Sequence, residues 1–228
     1  MRVILASQSP SRKMILEQAG VTPLIRPADV DEEAILAAHQ GEAPSDVVRA
    51  LAEAKAQAIA DTVRNARHDA DAPDADTPDS DTPDADTARI ADKKDEPAIV
   101  IGCDSMLYLN GELQGKPHTV ATTIERWRAQ RGSSAELLTG HCVVTPRGVR
   151  SATSRTVVNF GTPSDEDIEA YARSGEPLEC AGAFTLEALG GWFVDSIEGD
   201  PSGVIGLSLP TLPHSLYELG YSVRQLWD

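Results

Sequence analysis

The sequence predicts an α/β fold in which a mixed central sheet is flanked by helices, and three observations carry that prediction. The first is the apolar run Val3-Ile4-Leu5-Ala6, followed at once by a polar turn and a helical pattern. The second is Ala98-Ile99-Val100-Ile101-Gly102, an unbroken apolar stretch of the kind found in a central strand covered on both faces. The third is Asn110-Gly111 between two short strand-like segments, the strongest two-residue hairpin signal, which adds antiparallel pairs to the sheet.

The elements follow in order. After the first strand, Ser9 is placed to cap a helix, Pro10 suits its first position, Met14, Ile15 and Leu16 supply its apolar face, and Gly20 ends it. A second strand is expected around Pro23 to Arg26. Ser45 is expected to cap a long helix in which Val47, Val48, Leu51, Ala54, Ala58 and Ile59 recur at helical spacing. The central strand is expected to end in Cys103-Asp104-Ser105, with Met106 to Leu109 and Glu112-Leu113 as the hairpin. Thr119 to Gln130 reads as a helix, and His141 to Thr145 and Thr153 to Phe160 read as strands around Pro146-Arg147-Gly148. Ser164 caps a helix ending at Gly175, and Thr211 to Leu219 forms the last one.

Composition narrows the function. The chain has 228 residues, a length that suits one domain spanning 1–228. No apolar run approaches the roughly 20 residues of a membrane span, and the N-terminal apolar stretch is too short for a signal peptide, so the expected compartment is the cytoplasm and no membrane partner is expected. Cys103, Cys142 and Cys180 are odd in number and widely spaced, which argues against a disulfide framework or a structural zinc. The formal charge is -16, but residues 69–97 carry eleven acids against three bases, so half of it sits in one segment. That segment repeats Asp-Ala-Asp and Asp-Thr-Pro and has too little apolar surface to offset its ordering entropy; it is expected to be a disordered acidic insertion. It lacks the glycine-turned loop of a calcium site. The remaining chain is still acidic, so nucleic acid is not an expected partner, while scattered cations can build a local anion site.

The groups suited to chemistry are dispersed. Ser7, Ser9, Arg12 and Lys13 surround a helix N-terminus, where unpaired amides favour a phosphate; an ordinary capped helix with surface cations is the alternative. Asp104, read as the end of the central strand, can hold a divalent cation or accept a proton from water, and Ser105 can support it. Gly115-Lys116-Pro117 presents a lysine on a stiff turn, although the Walker A pattern is absent. Glu32 and Lys55 complete the set. Cations around phosphate oxygens and a carboxylate that directs water together suit phosphoanhydride cleavage.

Read together, Leu5-Ala6-Ser7-Gln8-Ser9-Pro10-Ser11-Arg12, Leu51-Ala52-Glu53-Ala54-Lys55-Ala56, Gly102-Cys103-Asp104-Ser105, Gly115-Lys116-Pro117, Leu138-Thr139-Gly140-His141, Ser174-Gly175-Glu176-Pro177 and the closing stretch from Ile197 to Leu207 resemble the Maf family of nucleotide pyrophosphatases, in order and in spacing. The resemblance covers the chain apart from the acidic segment. It implies two lobes around a cleft, and hydrolysis of nucleoside triphosphates, non-standard ones among them, to the monophosphate and pyrophosphate with Mg²⁺ or Mn²⁺. Carried over by position, it implies Asp104 as proton acceptor, Glu32 and Asp104 at the metal, and Ser7, Ser9, Arg12, Lys55 and Lys116 on the triphosphate. It also implies a homodimer. A nucleotide-binding regulator of cell division that does not depend on hydrolysis is the alternative function.

The chain departs from the family pattern at three places. Ser11 stands where the first of two arginines is common, Glu179-Cys180-Ala181-Gly182 replaces Asp-Lys-Ala-Gly, and Glu187 stands where the branch acting on dTTP and UTP carries Gln. Glu187 is therefore expected to contact the base, and to prefer an edge richer in donors than that of uracil or thymine.

Overall fold

The point at which the first strand ends beside the long central strand decides where the site lies. The computed structural model describes residues 1–70 and 97–227. Among them, β1 (Arg2–Leu5), β2 (Leu24–Ile25), β3 (Ala98–Leu109), β4 (Glu112–Gln114), β5 (Ser134–Thr145), β6 (Gly148–Phe160) and β7 (Val194–Glu198) form one mixed sheet in the order β2-β1-β3-β5-β6-β7, with β4 paired to β3. β1 runs parallel to β2 and β3, and the other pairs are antiparallel. The helices are α1 (Pro10–Gln18), α2 (Glu32–Ala38), α3 (Pro44–Ala70), α4 (Val120–Gln130), α5 (Asp165–Arg173), α6 (Pro201–Ile205) and α7 (Thr211–Glu218). The mixed α/β class is as the sequence predicts.

Strand alternation divides the core. Val3, Leu5, Ile99, Ile101 and Cys103 pack on one face with Ile15 and Leu16 of α1 and Leu212 and Leu216 of α7. Ile4, Ala6, Val100, Cys142 and Val144 pack on the other, with Ala52, Ala56 and Ile59 of α3. Further along the long strands a second core gathers Leu107, Leu109, Leu137, Val158 and Phe160 around Trp127 and Tyr171. Trp127 is fully buried, meets Phe160, Tyr171 and Phe193 edge-on at 5.5, 5.7 and 5.6 Å, and donates its indole N–H to the Ala183 carbonyl at 2.7 Å. Truncating such a side chain costs about 3–5 kcal/mol, so this second lobe stands or falls with it.

Two glycines let α3 approach the sheet. A Cβ at Gly102 would lie 2.4 Å from the Ala52 carbonyl oxygen, and one at Gly140 would lie 2.2 Å from that of Val48. Any side chain at either position pushes α3 away, and Lys55 with it.

Several local expectations hold. Ser9 caps α1 by accepting from the Arg12 amide, Thr119 caps α4, and Ser164 forms a capping box with Asp167. Asn110 and Gly111 take φ of 52° and 89°, as the hairpin turn requires. Others need correction. β3 does not end at Cys103-Asp104-Ser105 but runs on to Leu109, because its polar side chains find partners within the fold. Ser45 is not the cap of α3: the helix begins at Pro44, whose fixed φ suits a first turn, and the Ser45 carbonyl accepts from Thr153 Oγ1 at 2.7 Å. β5 and β6 extend well beyond the segments expected for them. α2, α6 and β7 were not expected. α3 runs through Asp69 and Ala70, the first two residues of the acidic segment, and residues 71–96 of that segment lie outside the described residues.

Candidate active site

β1 stops at Leu5, opposite Ile101, so the edge of β3 beyond Ile101 is left without a parallel neighbour. The chain leaving β1 turns there through Ser7-Gln8-Ser9 into α1. Asp104 and Ser105 sit on this open stretch, and because successive side chains on a strand point to opposite faces, they draw on different layers of the fold.

On the α3 face, Lys55 Nζ donates to Asp104 Oδ1 at 2.5 Å and lies 2.7 Å from Glu32 Oε1. Asp31 caps α2 by accepting from the Ala34 amide, which sets Glu32 at the first position of that helix. Asp104 is 8% exposed. Burial pushes its carboxyl above the ordinary carboxylate value, with the Lys55 and Arg12 cations pulling the other way.

On the opposite face, Arg12 donates Nε to the Gly206 carbonyl at 2.8 Å, Nη1 to Ser7 Oγ at 3.1 Å and Nη2 to Ser105 Oγ at 3.1 Å. Ser7 Oγ also accepts from the Ser9 amide at 3.2 Å. All three partners of Arg12 are neutral, and among the described residues no carboxylate pairs with it. Its charge is left for an anion.

The structure therefore brings together Ser7, Ser9, Arg12, Glu32, Lys55 and Asp104. Lys116 and Glu187 have other partners. Lys116 lies 3.3 Å from Glu179 Oε2, and His118 Nδ1 lies 3.1 Å from the other oxygen of the same carboxylate. Glu187 accepts from Ser11 Oγ at 2.9 Å and from the Leu186 amide at 3.1 Å. Glu176, to which the sequence assigned no role, organises the turn that carries Glu187. It accepts from Tyr171 Oη, the Leu189 and Gly190 amides and Thr185 Oγ1. Burial alone would raise its pKa, but these four donors outweigh it and hold the carboxyl below its ordinary value. The cysteines supply no nucleophile: all three are free, and burial pushes each thiol up to about 11.

A Maf-like protein family model matches residues 2–219. The chain belongs to the Maf family. Among its relatives, a Corynebacterium diphtheriae protein named nucleoside triphosphate pyrophosphatase is 55% identical over 228 residues, covering all of this chain and 99% of the relative. A protein of the same name from Corynebacterium glutamicum is 51% identical with both chains fully covered, and one from Nocardia farcinica is 48% identical over 99% of this chain and 96% of its own. Thr139 and His141 lie in the Leu138-Thr139-Gly140-His141 stretch of β5. The structure gives them work that the motif did not announce: Thr139 Oγ1 meets Ser105 Oγ at 2.9 Å, and His141 Nε2 accepts from the Ser208 amide at 2.8 Å. Their spacing of two on a strand was the available signal.

Proposed function

We propose that this chain is a nucleoside triphosphate pyrophosphatase that cleaves between the α and β phosphates, giving a nucleoside monophosphate and pyrophosphate and clearing non-standard nucleotides before their incorporation into nucleic acid. The observation that carries the chemistry is a buried carboxylate, Asp104, on an unpaired strand edge with Lys55 on one side and Arg12, free of any carboxylate, on the other.

The triphosphate enters over the turn from Ser7 to Ser9. Arg12 and the hydroxyls of Ser7 and Ser9 receive its oxygens. Lys55 balances the charge of Asp104 and Glu32. Asp104 accepts the proton of a water as that water attacks the phosphorus on one side of the α–β bridge; the bond from that phosphorus to the bridging oxygen breaks, and monophosphate and pyrophosphate separate. Lys116 joins the phosphates by exchanging its partner Glu179 for substrate.

Glu32 and Asp104 each reach the Lys55 ammonium through one oxygen, Oε1 and Oδ1, so their second oxygens are two neighbouring hard donors for a divalent ion. Mg²⁺ is held in this way, by one or two carboxylates with water and substrate phosphate making up the shell, and the residues fit it. Among the described residues no group of three or more His, Cys, Asp or Glu is placed to hold a metal. Bound Mg²⁺ or Mn²⁺ would neutralise charge on the phosphate oxygens.

The same proposal places the enzyme in the cytoplasm, as a homodimer acting on free nucleotides. The net charge of -16 disfavours a nucleic-acid substrate, and no helix among the described residues is long and apolar enough to cross a membrane. Product analysis tests the reaction: each of a panel of triphosphates is incubated with the protein and Mg²⁺, and monophosphate and pyrophosphate are expected in equal amounts. Diphosphate and orthophosphate would overturn the bond assignment.

A further inference from the structure

β5 carries two fully buried polar side chains to which the proposed chemistry gives no part. Thr139 and His141 are both 0% exposed. Gly140 between them faces α3, so they face the opposite side, toward Arg12 and the segment that follows β7.

Each supports a different acceptor of Arg12. Thr139 Oγ1 donates its single proton to the Gly203 carbonyl at 2.8 Å, so toward Ser105 Oγ, 2.9 Å away, it can only accept. Ser105 thus gives its proton to Thr139 and turns a lone pair to Arg12 Nη2. His141 Nε2 accepts from the Ser208 amide, which puts the ring proton on Nδ1. Burial pushes the ring pKa down to about 4, so Nε2 stays an acceptor at neutral pH. Ser208 lies two residues beyond Gly206, where φ of +126° turns the backbone so that its carbonyl meets Arg12 Nε. The far side of this segment is held by Asp200, which accepts from the Ser202 and Gly203 amides.

We propose that Thr139 and His141 are positioning residues that aim the Arg12 guanidinium, through Ser105 and through the Gly206–Ser208 turn respectively. Burying a hydroxyl and an imidazole is costly where Val and Leu would pack; Thr139 spends its bonds on Ser105 and the Gly203 carbonyl, and His141 spends its one bond on Ser208, in the turn that carries the Gly206 carbonyl to Arg12. Arginine is long and rotamer-rich, and a guanidinium held in place before the anion arrives binds it with less loss of freedom. The inference rests on the pyrophosphatase proposal only in taking Arg12 to bind the triphosphate.

A double-mutant cycle tests it, read by the affinity of the full-length protein for an α,β-methylene nucleoside triphosphate and by steady-state kinetics. Thr139→Val and His141→Leu are expected to weaken analogue binding and raise KM, by up to about 10²-fold for a misplacement near 1 Å, with a smaller change in kcat. In an Arg12→Ala background the same substitutions are expected to cost less than about twofold, because the group they aim is gone. Thr139→Ser, which keeps the hydroxyl, is expected to behave as the parent. Should His141→Leu fail to fold, the Thr139→Val and Thr139→Ser pair decides alone. Equal losses with and without Arg12, or no loss in either, would overturn the inference. Failure of the pyrophosphatase proposal is seen separately, as absence of pyrophosphate release by the parent protein, and leaves the binding cycle readable.

Discussion

Ser11 Oγ donates to Glu187 Oε1 at 2.9 Å across 176 residues of sequence. These are two of the positions at which the chain departs from the family pattern, and in the fold they are one contact. It ties the first turn of α1, beside the phosphate-binding turn, to the loop organised by Glu176. An Arg at one position and a Gln at the other would make a different pair, so the two departures belong together.

That pair bears on base preference. An ionised Glu187 can only accept, whereas Gln both donates and accepts and so matches the carbonyl and N–H of uracil or thymine. UTP and dTTP are expected not to be the best substrates, and Glu187→Gln, at a position exposed in the free protein, is expected to shift the ranking of kcat/KM toward them by about 1–3 kcal/mol if the bound base covers it and leaves one group unpaired. A parent enzyme that favours UTP or dTTP, or an unchanged ranking in the variant, would refute this.

Lys116 must leave Glu179 to meet a phosphate. Both side chains are well exposed, at 44% and 66%, and such surface pairs are worth about 0–1 kcal/mol, so substrate can displace the contact. Glu179→Ala is expected to leave the melting temperature nearly unchanged and to lower KM a few-fold at most, while Lys116→Ala lowers the rate by roughly 10²-fold. A higher KM in Glu179→Ala would show that the pair positions the lysine instead of occupying it.

His141 predicts a pH dependence of stability. Its folded pKa, about 4, lies below the unfolded value near 6.5 because burial disfavours the cation. Between those values the unfolded state binds the extra proton, so stability is present above the window and is lost as pH falls through it. The loss from this one group between about pH 7 and about pH 5 is about 2 kcal/mol. Denaturant unfolding of His141→Gln, compared with the parent at both pH values, is expected to show a shallower loss; parallel losses would remove His141 as the cause.

Every residue placed in the site lies within the described residues. Replacing residues 71–96 with a short Gly-Ser linker is therefore expected to leave hydrolysis and the melting temperature almost unchanged, since halving the length of a connection alters closure entropy by only about 0.6 kcal/mol. A large loss of turnover would assign the acidic segment a part in the reaction.

How far the sequence disclosed this arrangement depended on whether a signal was local. α1 was legible because a cap, a proline and an apolar face stand together from Ser9 to Leu16. Asp104 was legible as a chemical group but misplaced as a strand end, since Cys-Asp-Ser looks like the close of an apolar run. The strand continues because Lys55 satisfies Asp104, while Arg12 and Thr139 satisfy Ser105, and those partners come from distant segments. α2 is only seven residues long and fully buries none of them, with Ile35 and Leu36 half-buried against Val48 and Leu51, so it is too short for a helical period to show. β7 has no buried residue either. The Ser11–Glu187 contact could not be read at all, because only the folded chain brings the two together.

The most direct test of the central claim compares pyrophosphate release by the parent protein and by Asp104→Asn, with nucleoside triphosphate and Mg²⁺ in excess and folding checked by thermal melting. Asn keeps the shape but accepts no proton, and removal of a general base costs about 10²- to 10⁴-fold. A loss of that size in a variant that still folds is the predicted result. Near-parental release by Asp104→Asn would contradict the account.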